Sequence, residues 1–199
     1  MNIDFSDYAR GAGVATDLVN TSPAVRSSGE VLATPDALAQ FLTERNIRPD
    51  AMAHGRRLTE EDLGHVRILR QEVRTILEAA TEEAVVDAAT ALVARAGIGP
   101  TLHRDTHGRW QWYLATSSNA SLADELGVLM GTGLLGALRT LSHDRFRHCT
   151  APACNGMFVD TSKAGRRRYC MPDLCGNRRN VANYRARKLT DAEGAPPDS

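Results

Sequence analysis

The sequence predicts an α+β fold: a helix-rich N-terminal domain with a small β-hairpin or sheet, then a small cysteine-centred hairpin–helix module. Three observations predict it. Apolar residues recur at helical spacing in several segments before residue 145, most of them opened by a capping residue. Residues 101–114 change to strand character around a turn. All four cysteines fall between positions 149 and 175, in a stretch too short to bury a core of its own.

The elements follow in order. An apolar segment ends at Asp17-Leu18-Val19-Asn20-Thr21, and Ser22-Pro23 breaks it. Thr34-Pro35-Asp36 opens a helix: a capping hydroxyl, a proline suited to the first helical position and an acid at the positive end of the dipole. Leu38, Phe41 and Leu42 form its apolar face. Thr59-Glu60-Glu61-Asp62 opens a second helix, with Leu63, Val66, Leu69, Val73, Ile76 and Leu77 inward. A third covers residues 82–95, with Val85, Val86, Ala89, Leu92 and Val93 inward; Gly97 and Gly99-Pro100 stop it. Asp105-Thr106-His107-Gly108 is the hairpin turn before a strand at residues 109–114. Trp110 and Trp112 share one face of that strand, and core packing is their default role. Ser121 caps a long helix to Leu141, whose Gly127, Gly131, Gly133 and Gly136 permit close approach; it is a core helix first and a dimer surface second. Residues 189–199 read as a disordered tail.

The cysteines form two matched pairs, Cys149-x4-Cys154 and Cys170-x4-Cys175. Four thiols in two pairs across a short connection can supply the four soft ligands of a tetrahedral zinc; an iron–sulfur cluster is the other group four thiolates hold. No apolar core of signal-peptide length follows Asp4 and Asp7, and no apolar run reaches the length of a membrane span, so a cytoplasmic chain with reduced thiols is expected. One structural zinc on Cys149, Cys154, Cys170 and Cys175 leaves no open coordination position. His148 abuts the first cysteine as a bystander.

The formal net charge of zero hides an asymmetry. Residues 145–188 hold eleven Lys and Arg against two acids, a local +9, and the rest of the chain carries the balancing −9. Such a basic module points to a polyanion. Within it, Met157-Phe158-Val159 reads as a strand, residues 161–165 as a turn, and Arg166-Arg167-Arg168-Tyr169 as the returning strand. Residues 177–188 read as a helix, with Asn177 as its cap. Arg166, Arg167, Arg168, Arg178, Arg179, Arg185, Arg187 and Lys188 are the candidate contacts to double-stranded DNA, mostly to phosphates; for Arg178 a structural role stands beside that one.

The run from Cys149 to Arg187, with Cys175-Gly176-Asn177-Arg178 and Tyr184-Arg185-Ala186-Arg187, resembles the CGNR zinc finger. Phe158-Val159-Asp160-Thr161-Ser162 and the arginines before Cys170 fit that family's hairpin. Leu18-Val19-Asn20-Thr21 and Leu32-Ala33-Thr34-Pro35 are similar to the ABATE domain that precedes this finger. The chain departs from the pattern at Met171-Pro172 and at Lys163-Ala164, none of them a cysteine ligand.

The resemblance implies an ABATE-like domain over residues 1–144, a candidate sensor of a small-molecule effector, and a DNA-binding finger over 145–188. Together they imply a stress-responsive transcription regulator, with a homodimer as the natural reader of paired half-sites. An RNA- or ribosome-associated zinc module, a small-molecule enzyme with a structural zinc, and a protein-interaction module are the alternatives. No Ser/His/Asp constellation, phosphate-binding glycine loop or paired-carboxylate motif is present, so no enzyme activity is expected.

Overall fold

A computed structural model describes residues 1–176, the side chain of His54 excepted. The expected helix at residues 177–188, its arginines and the tail at 189–199 lie outside the described residues.

Among the described residues, three of the five α-helices form where the capping signals at Thr34, Thr59 and Ser121 place them; the other two start at Asp7 and Thr81, caps the sequence did not single out. Helix α1 is Tyr8–Val19. Helix α2, Pro35–Glu44, starts with Thr34 Oγ1 accepting from the Ala37 amide at 3.2 Å. Helix α3, Glu60–Leu77, carries a full capping box between Thr59 and Asp62. Helix α4 is Glu82–Ala94 and α5 is Leu122–Leu141. The predicted inward positions of α2 and α3 are all buried. In α4, Val85, Ala89 and Leu92 form the stripe that packs on α5 and are buried, whereas Val86, off that stripe, is exposed and Val93 is half-buried.

Helix α5 lies at the centre, against α1, α3 and α4. Its glycines set the distances. A Cβ on Gly133 would lie 2.4 Å from the Ala12 amide nitrogen and 2.5 Å from Gly11 Cα, so α1 and α5 cross backbone to backbone. Gly131 meets Ala89 and Leu92 of α4 in the same way. The α5 surface considered for a dimer is therefore interior to one chain.

Strands β1 (Asn2–Asp4), β2 (Gly97–Arg104) and β3 (Trp110–Thr116) form an antiparallel sheet in the order β1-β3-β2. Three residues with one apolar side chain carry no periodicity, which is why β1 is silent in the sequence. Gly97 and Gly99-Pro100 do not merely end α4; they belong to β2, with a register shift between Gly97 and Gly99. Trp110 and Trp112 are 58% and 57% exposed, which corrects their default core role. They sit at the distal end of β3, whereas Leu114 and Thr116 at its base are buried.

Two small strands follow among the described residues: β4 (Phe146–His148) and β5 (Met157–Val159), paired antiparallel with Arg147 opposite Phe158. The sequence assigned β5's partner to residues 166–169, but these are not strand. Residues 146–148, soon after α5, supply the partner instead.

Strand β5 alternates between two cores. Met157 and Val159 join the main core, whereas Phe158 packs with Val25, Cys149, Ala151, Cys170 and Cys175. Polar side chains reach the backbone of β5 from α1. Asn20 Nδ2 donates to the Met157 carbonyl at 2.6 Å, and Thr16 Oγ1 accepts from the Val159 amide at 3.0 Å. Arg70 of α3, itself buried, grips the Glu30 carboxylate with both terminal nitrogens at 2.6 and 2.7 Å. This pair holds the loop that carries Val25 into the smaller core.

Candidate metal centre and nucleic-acid interface

Backbone geometry brings the two cysteine pairs together. After β4, the Cys149 amide donates to the Gly156 carbonyl at 2.8 Å, and the Cys154 amide to Ala151 at 3.2 Å. Ala153 takes φ 54°, the left-handed turn needed just before Cys154. In the second knuckle the Cys175 amide donates to the Met171 carbonyl at 2.8 Å, at the start of a helical turn over residues 172–176. The Thr150 amide and Oγ1 both donate to the Arg168 carbonyl at 3.0 Å, tying the knuckles to each other.

Cys154 Sγ lies 3.7 Å from Cys170 Sγ and 3.8 Å from Cys175 Sγ; the last two are 3.7 Å apart. All four sulfurs lie within 4.8 Å of one another. A disulfide requires about 2.05 Å, so these are four free thiols. A tetrahedron with zinc–sulfur bonds of about 2.3 Å has edges of about 3.8 Å. The spacing fits one zinc ion with four cysteine ligands. Exposed His148 is not part of this cluster.

The electrostatics also call for a cation. Burial, and then the sulfurs of Cys149, Cys154 and Cys175, push the Cys170 thiol far up. Burial likewise raises Cys175. For Cys149 burial acts upward too, but backbone N–H groups of Ala151 and Cys170 and the Cys154 and Cys170 thiols outweigh it and hold this thiol low. Four thiolates this close repel one another; a divalent cation turns that repulsion into ligation.

Gly156 marks the tightest approach. A Cβ there would lie 2.3 Å from Cys170 Sγ and 2.7 Å from Asn20 Oδ1. Only a residue without a side chain fits between the sulfur cluster and α1.

Asp160, which the sequence did not single out, organises the turn after β5. Fully buried, its carboxylate accepts from the Ser162 amide at 3.0 Å, the Arg167 amide at 2.9 Å and Arg147 Nη1 at 3.1 Å. Burial acts upward on this carboxyl, but Ser162, Arg167 and Arg147 hold it below the usual carboxylate range. The available signal was an acid inside a strongly basic stretch.

The predicted DNA contacts divide. Arg166 and Arg168 are exposed, as is Lys163. Arg167 is half-buried: its guanidinium lies 4.8 Å from the Phe158 ring centroid, Nε donates to the Tyr169 carbonyl at 2.9 Å, and Nη2 donates to the Cys170 carbonyl at 2.6 Å. Its side chain braces the second knuckle. Arg178, Arg179, Arg185, Arg187 and Lys188 lie outside the described residues.

The ABATE family model, described as "Putative stress-induced transcription regulator", matches residues 12–144. The chain belongs to the ABATE family. The model of the CGNR zinc finger matches residues 145–188, directly after the ABATE match. No curated protein matches the chain. Among the described residues of this ABATE protein, no helix is long and apolar enough to cross a membrane.

Proposed function

We propose that this zinc-binding ABATE protein is a sequence-specific regulator that binds double-stranded DNA through its finger and senses a signal through its N-terminal domain. One observation carries the proposal: a four-cysteine cluster, braced from inside by Arg167 and Asp160, leaves Arg166 and Arg168 on its solvent side. Arginines so placed suit phosphate contacts. The chain beyond Cys175 adds Arg178, Arg179, Arg185, Arg187 and Lys188 in sequence. A complete thiolate shell leaves zinc no position for a reacting water, so the metal is structural in this reading. A small finger buries little DNA surface, which favours a homodimer on paired half-sites.

The experiment is selection of bound duplexes from a random pool by the zinc-loaded full chain, followed by salt titration on the winner. An enriched motif is expected, with a weaker scrambled control. Replacing Arg166 and Arg168 with Ala should reduce the salt slope by about two, roughly one for each phosphate no longer neutralised. Salt-sensitive binding without any enriched motif would overturn the proposal.

A further inference from the structure

We infer that the cleft between α1, α2 and the second cysteine knuckle binds a small organic carboxylate with an apolar body. This deepens the sensing part of the proposed function and rests on it only for its regulatory consequence. The cavity measures about 200 Å³, room for roughly seven waters at about 30 Å³ each. Asn20, Thr21, Arg26, Val31, Phe41 and Met171 line it.

Arg26 gives the cleft its chemistry. Its Nε is buried and has no hydrogen-bond partner among the described residues. The acids at the cleft, Asp17 and Glu44, are engaged by Arg45, at 2.9 and 3.4 Å. The terminal nitrogens of Arg26 are not buried and make no hydrogen bond or ion pair to a described residue, and a carboxylate is the acceptor whose planar geometry matches them. Val31 and Met171 offer an apolar wall, which an inorganic anion would not use. A cleft of this volume suits a compact body such as a single ring.

The position gives such a ligand leverage on the finger. Asn20 lines the cleft and also holds both backbone groups of Met157 in β5. Met171 lines it and accepts from the Cys175 amide through its carbonyl. A bound carboxylate therefore touches one residue that docks the zinc module and one that shapes its second knuckle. Differential binding to two placements of the module is what a sensor requires.

The test is calorimetric titration of the zinc-loaded full chain with benzoate, and in parallel with benzamide, acetate and inorganic phosphate. Saturable benzoate binding is expected, about tenfold or more tighter than benzamide, because the neutral amide cannot satisfy a guanidinium as a carboxylate does. Arg26→Gln should weaken benzoate by about tenfold or more while zinc content stays at one ion. Val31→Asp, which sets a carboxylate in the cleft in competition with the ligand's own, should also weaken it and covers the case in which Arg26→Gln does not fold. Undetectable benzoate binding, benzoate affinity unchanged in both variants, or phosphate binding tighter than benzoate would each overturn the site. DNA affinity is measured separately: benzoate binding intact with no DNA binding would sink the regulator proposal and leave this one standing.

Discussion

Asn20 and Met157 hold each other at both ends of one amide. Asn20 Nδ2 donates to the Met157 carbonyl at 2.6 Å, and Asn20 Oδ1 accepts from the Met157 amide at 3.2 Å. The side chain, at the end of α1, stands in for a neighbouring strand along a backbone that would otherwise be buried unpaired. Asn20→Ala leaves both groups of Met157 without partners and should cost about 2–4 kcal/mol. Urea unfolding of the zinc-loaded chain measures it; a loss within experimental error of zero would mean that water replaces the amide without penalty.

Gly156→Ala tests the approach of the sulfur cluster to α1. The new Cβ lies 2.3 Å from Cys170 Sγ, and a metal-bound sulfur cannot swing aside as a free side chain would. The strain should cost about 1–3 kcal/mol, or roughly five- to 150-fold in zinc affinity. Competition with a chromophoric chelator reads this directly, and wild-type affinity would show that the knuckles can relax apart.

Removing zinc should release one equivalent and unfold the cysteine module while the helices before residue 145 persist. Their melting temperature should still fall, because Met157 and Val159 belong to the main core. Circular dichroism during chelation checks both halves. Loss of all helical signal at once would mean that the ABATE domain cannot hold its fold without the module.

Glu30→Gln leaves buried Arg70 without its charged partner and should destabilise the chain by about 3 kcal/mol at neutral pH. Burial acts upward on the Glu30 carboxyl, but the Arg70 pair, with the Leu32 amide and Arg67, holds it below its ordinary value. Its contribution is therefore complete above the unfolded value near 4.3 and disappears as pH falls through the lower folded value. The gap between wild type and variant should start to narrow below the unfolded value and close once pH falls beneath the lower folded value. A gap that persisted there would assign the effect to shape instead of charge.

The two tryptophans should be quenched readily by acrylamide in dilute protein, since each is more than half exposed. Arg104 lies 4.4 Å from the Trp110 ring centroid, so Trp110→Ala should cost only about 1 kcal/mol. Quenching that weakens as protein concentration rises would place this face in a contact between copies of the chain.

The cysteine cluster and most helix boundaries were legible in the sequence because their codes are local. Thr34, Thr59 and Ser121 each accept from an amide three residues on, so the cap and its partner are read together. Three features were not legible. The partner of β5, the exposure of Trp110 and Trp112, and the brace formed by Arg167 all depend on neighbours that residue type does not name. Residues 166–169 are as basic and strand-like in sequence as 146–148, yet only the latter pair with β5.

By itself the sequence determined that four thiols would share one cation, where the helices begin, and that positive charge would concentrate in the C-terminal module. Ligand number, capping and charge are properties of short segments. The tertiary structure alone decided that the module is docked by α1, that Gly156 seats the sulfurs beside Asn20, and that Arg26 is left unsatisfied in a cleft shared by domain and knuckle. Each of these is a relation between residues distant in sequence, and packing chooses such relations by which surfaces can be buried together.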